Sequence, residues 1–145
     1  MTGSSDLYGL QRFVEAQDPV IDEVKKELRS GRKRTHRMWF VFPHMEGLGS
    51  SQMSQRYAIS SRAEAEAYLD HSILGSRLRE CTEIVNGVEG RSANDIFGSP
   101  DDLKFRSSMT LFEAVATDPA PFSTALDLYY EGESDPKTLD LLDGA

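Results

Sequence analysis

The chain has 145 residues and a formal net charge of −8, which is long enough to bury about two-thirds of its unfolded surface without a disulfide or metal staple. A single cysteine, Cys81, excludes an intrachain disulfide framework, and the three histidines, His36, His44 and His71, lack the spacing of a metal site. The acidic balance argues against nucleic acid as a partner, and the longest apolar run, residues 38–42, falls far short of the ~20 residues of a membrane span. No basic and then apolar leader opens the chain, so a reduced, cytoplasmic protein is expected. Residues 1–5 are expected to fray, and 6–145 to form one helical domain.

In chain order, Leu7, Leu10, Phe13 and Val14 mark a first amphipathic helix after Asp6. Asp18-Pro19 reads as a cap and first-turn proline, followed by the stripe Val20, Ile21, Val24 and Leu28, with Gly31 as a left-handed stop. The run 38–42, closed by Pro43, has the aromatic and β-branched content of a buried strand. No partner strand is evident, however, so it is read as a short central helix. A further short helix reaches Tyr57, and Ser61-Arg62-Ala63-Glu64 has the pattern of a capping box ahead of a segment ending at Leu69.

Ile73, Leu74, Leu78, Cys81, Ile84 and Val85 form the next stripe, closed by Asn86-Gly87, with Cys81 as a small core residue. Ser99-Pro100, Asp118-Pro119 and Asp135-Pro136 repeat the cap signal of Asp18-Pro19. Behind them lie Leu103, Phe105, Met109, Phe112 and Val115, then Phe122, Ala125, Leu126, Tyr129 and Tyr130, and last Leu139, Leu141 and Leu142. These signals predict an all-α fold of about seven or eight short-to-medium helices.

Charge is unevenly spread. Residues 25–37 hold seven basic side chains and one acid, a local +6, while the remainder holds nine basic and 23 acidic side chains, or −14. Arg32, Lys33 and Arg34 beside the aromatic run therefore make a candidate anion site, or else a solvated connection between helices. Gly47, Gly49 and Ser50 lie in a loop before a helix, where glycine lets backbone N–H groups approach a phosphate. No phosphate- or dinucleotide-binding fingerprint accompanies them, and no cofactor is assigned. Lys104, Ser107 and Ser108 bring a cation and hydroxyls to one helix, which serves a polar cleft or an ordinary solvated face.

The string Gly31-Arg32-Lys33-Arg34-Thr35-His36, then Met38-Trp39-Phe40-Val41-Phe42-Pro43 and Gly47-Leu48-Gly49-Ser50, is compositionally rare. Together with Tyr68-Leu69-Asp70-His71, Leu74-Gly75, Arg77-Leu78, Ile96-Phe97-Gly98 and residues 104–112, it resembles a bacterial family of unknown function that has sometimes been mislabelled calpastatin. The resemblance implies an all-α fold and supplies no activity. In that family a second tryptophan commonly stands at the position of Arg37 and a glutamine at that of His44, so a pocket wall built there is more cationic in this chain.

Two functional readings stay open. In the first, an anionic, nucleotide-like small molecule binds at Arg32, Lys33, Arg34, Gly47, Gly49, Ser50, Lys104, Ser107 and Ser108, stacking on Trp39. If the chain is an enzyme, His36 is then the candidate acid–base residue. In the second, the basic patch on an acidic body docks a protein partner.

Overall fold

Apolar side chains spaced three and four apart turn most of the described residues into helix, and a single long helix organises the rest. A computed structural model describes residues 8–32, 38–48 and 52–144; the expected frayed stretch 1–5 lies outside the described residues. In chain order the helices are α1 (Gln11–Gln17), α2 (Ile21–Arg29), α3 (Met38–Val41), α4 (Gln52–Arg56), α5 (Arg62–Asp70), α6 (Leu74–Asn86), α7 (Ala93–Phe97), α8 (Asp101–Val115), α9 (Ala120–Tyr130) and α10 (Pro136–Asp143). Three of them, α3, α4 and α7, are single turns of four or five residues. The described residues contain no strand, only one parallel bridge between Met45 and Ile59, and no helix among them is long and apolar enough to cross a membrane.

Helix α8 is the central element: Phe105, Met109, Leu111 and Phe112 are fully buried, and α3, α5, α7, α9 and α10 all pack against it. Full burial of such side chains stabilises by roughly 1.5–3 kcal/mol each, so this one stripe supplies much of the driving force. Helix α6 closes the far side, against α2, α5 and α9. The run 38–42 is helical through Val41, as its lack of a partner strand requires. The cap of α2 ends as predicted: Gly31 takes φ +78°, with Gly31 N–H on the Leu28 carbonyl and Arg32 N–H on that of Glu27, the paired bonds of a Schellman motif.

The proline signals announce their helices but are displaced at three of four sites. Asp18 closes α1, its N–H on Val14, and its carboxylate meets Arg77 at 2.8 Å. Val20 then stands at the cap of α2. Pro100 and Pro119 themselves occupy the cap positions of α8 and α9, so Ser99, exposed and joined to Pro100 by a cis peptide, does not cap α8. A proline fits there because a cap residue's own N–H takes no part in the helix. Only Asp135-Pro136 keeps the expected register. Helix α7 has no proline signal; what starts it is the capping box of Ser92 and Asp95.

Candidate functional site

The aromatic run fixes where the chain leaves α3. Phe42 meets Phe105 edge-on at 5.0 Å and Phe97 at 6.0 Å between ring centroids, which anchors the extended exit from the helix in the core. Residues 44–46 are then held by the bridge: Ile59 N–H donates to the His44 carbonyl at 2.9 Å, and Glu46 N–H to the Ile59 carbonyl at 2.8 Å. Gly47 reverses the chain at φ +100°, a conformation strained for any residue with a Cβ. Leu48 comes next, half-buried.

A second segment is held by the polar block of α8. Arg106 donates to the carbonyls of Glu133 at 3.0 Å and Ser134 at 2.8 Å. Asp135 N–H donates to the Thr110 hydroxyl at 2.8 Å, while the Asp135 carboxylate accepts from Ser107 at 2.9 Å and from Thr138 at 2.6 Å. These bonds bring the start of α10 beside the start of α8.

Between the 44–48 loop and these two helix starts lies a cavity of about 290 Å³. Its polar wall is His44, Lys104, Ser107, Asp135 and Lys137; Leu48, Pro100 and Leu103 give it an apolar side. Lys104 stands 3.7 Å from Asp101 on its own helix. His44 is 4% exposed. Burial lowers its pKa below that of an ordinary imidazole, and Lys104 adds to the effect; Asp135 and the backbone carbonyls act the other way without reversing it. Its Nδ1 lies 3.2 Å from the Met45 carbonyl, and a carbonyl only accepts, so Nδ1 carries the hydrogen. For Asp135, burial alone would raise the pKa. The hydrogen bonds from Thr138 and Ser107, together with the N–H dipoles of Lys137 and Thr138 at the start of α10, outweigh it and hold the carboxyl below its usual value.

The sequence candidates divide accordingly. Lys104 and Ser107 line the cavity, and Gly47 makes the turn beside it. Arg32, exposed at the end of α2, is not among its lining residues. Ser108 points elsewhere in the core, fully buried, and its hydroxyl has no hydrogen-bond partner among the described residues. Lys33, Arg34, His36, Gly49 and Ser50 lie outside the described residues, as does the side chain of Trp39. Cys81 is buried in the core, where burial pushes its thiol up to about 12, too high for a nucleophile at neutral pH. Part of the basic patch is matched within the chain, Lys25 pairing with Glu80 at 2.8 Å.

The other polar lining residues are legible in the sequence to different degrees. His44 is legible as a pocket-wall position, Asp135 only as a helix cap, and Lys137 not at all, because its relation to Lys104 is purely spatial.

Residues 7–142 match the profile of the family described as a protein of unknown function, DUF1810. No curated protein matches the chain. Among solved structures, the conserved hypothetical protein Rv1873 from Mycobacterium tuberculosis is similar, at 55% sequence identity and a TM-score of 0.92, over 94% of this chain and 97% of that one. The ordered blocks read from the sequence thus lead to the family and to a mycobacterial protein of the same fold.

Proposed function

Because the chain belongs to DUF1810, a family of unknown function, we propose a function from the cavity itself: it binds the anionic end of a small, nucleotide-like metabolite. The observation that supports this is the convergence of Lys104 and Lys137 on one recess, where the Asp135 carboxylate accepts from two hydroxyls. The recess thereby brings two ammonium groups together in a protein that is otherwise strongly acidic. At about 290 Å³ the volume sits at the small end of ligand sites, which start near ~300 Å³. It suits a phosphate-bearing end rather than a whole dinucleotide, with Leu48 and Leu103 supplying apolar contact beside it.

Calorimetric titration of ribose 5-phosphate, AMP and ADP-ribose into wild type, Lys104→Ala and Lys137→Ala tests the reading. Saturable binding of at least one phosphate compound is expected, with uncharged ribose inert. A hydrogen bond to a charged group contributes ~1.5–3 kcal/mol, so each variant is expected to weaken binding by roughly ten- to a hundredfold. Binding that survives unchanged in both variants, or that ribose shares, contradicts it.

A further inference from the structure

We infer that the cavity takes up its anion together with a proton, and that the proton resides on the imidazole of His44. The inference rests on the anion-binding reading above and names the ligand class for it: an oxyanion such as a phosphate monoester.

The ring is the starting point. His44 is held in the cavity wall at 4% exposure, and Nδ1 keeps its hydrogen toward the Met45 carbonyl in either charge state. The nitrogen whose protonation changes the charge is therefore Nε2. The groups that face the ring come from each side of the recess. Helix α8 presents Lys104, with Asp101 beside it; the start of α10 presents Asp135 and Lys137; the ring's own loop presents the Met45 carbonyl. Without a ligand, burial and the Lys104 ammonium both favour the neutral ring.

A bound anion changes that balance. The two lysines of the wall stand against Asp135 and, 3.7 Å from Lys104, against Asp101, so the wall holds no surplus positive charge. A bound anion therefore leaves the recess negative, and an uncompensated charge held there is costly. Among the described lining residues, His44 is the group able to supply the missing positive charge near neutral pH. The anion also screens Lys104 and offers an acceptor to an Nε2–H. The ring therefore holds its proton more tightly in the complex than in the free protein. By linkage, affinity rises as pH falls between the two values, by up to about tenfold per pH unit, and is flat on either side.

Inorganic sulfate is the probe, because it stays a dianion across the range of about pH 5 to 8 in which histidine titrates. Calorimetry over that range, in two buffers of different ionisation heat, measures both the affinity and the protons taken up. Wild type is expected to bind more tightly toward acid pH with proton uptake, and His44→Gln to bind with its affinity independent of pH and no uptake. Ring-nitrogen NMR of wild type, which needs no substitution at a buried position, is expected to show His44 becoming doubly protonated on adding sulfate at constant pH, with His71 unmoved. Sulfate binding without proton uptake, or uptake that persists in His44→Gln, overturns the inference and leaves the anion site standing. No sulfate binding to wild type at any pH removes both.

Discussion

Arg12 shows how much of this fold rests on single polar side chains. Its guanidinium donates to the carbonyls of Tyr8, Gly9, Arg56 and Ala58 and to the Glu64 carboxylate at 2.9 Å. It thereby ties α1 to the segment before the Met45–Ile59 bridge and to α5. Glu64, 2% exposed, also accepts from the Ser60 N–H and hydroxyl. The capping-box pattern at Ser61 is legible in the sequence, and Ser61 does accept from Glu64 N–H at 3.1 Å. The return bond goes to Ser60 instead, since the carboxylate is drawn into the ion pair with Arg12, fifty-two residues away. Losing one partner of a buried pair costs about 3–5 kcal/mol. Arg12 keeps 23% of its side chain exposed, so water compensates part of that loss, and Glu64→Ala is expected near the lower end, ~3 kcal/mol. Urea denaturation checks this; a loss below about 1 kcal/mol, typical of a surface pair, would show that the network contributes little.

Helices α5 and α6 approach closely at Gly75. A Cβ there would stand 2.1 Å from the Leu69 carbonyl oxygen, a backbone atom that cannot swing aside. On an exposed helix, glycine to alanine gains up to ~1 kcal/mol. Here the overpacking cost, typically ~1–3 kcal/mol, acts against that gain and exceeds it. Gly75→Ala is thus expected to lower the thermal midpoint, and an increase would contradict the close approach. His71 opens α6 nearby, its Nδ1 accepting from the N–H groups of Ile73 and Leu74 at 3.2 Å each.

Helix α10 is held differently, by Asp135. Since its folded pKa lies below the ordinary value of 3.8, its contribution is fully present above that pH and is lost as pH falls through the lowered value. The stability deficit of Asp135→Asn relative to wild type is therefore expected to be constant near neutrality and to shrink below about pH 4. A deficit independent of pH would mean that the ionised carboxylate is not what latches α10. The helices themselves are legible from stripes and proline pairs. The first residues of α8 and α9 are not, because the prolines take the cap position there, a choice made by packing rather than by local chemistry.

At the scale of the whole molecule, α8 serves two ends. Its apolar stripe carries the core, and its polar block gathers the 133–138 segment and faces the 44–48 loop. The all-α architecture comes from periodicity alone, since each stripe reports on its own segment. The recess does not. It exists because the Met45–Ile59 bridge fixes one wall and the docking of α10 on α8 fixes another, and neither contact leaves a periodic trace. Lys104 and Ser107 are therefore legible as a polar block, while their meeting with His44, Asp135 and Lys137 is not.

Amide NMR of the uniformly labelled protein titrated with inorganic phosphate reads that meeting residue by residue. Saturable shifts are expected to concentrate at His44, Gly47, Leu48, Lys104, Ser107 and Lys137, and to be abolished together by Lys104→Ala with Lys137→Ala. Saturable shifts centred elsewhere, or none at these six residues, would contradict the anion-binding reading.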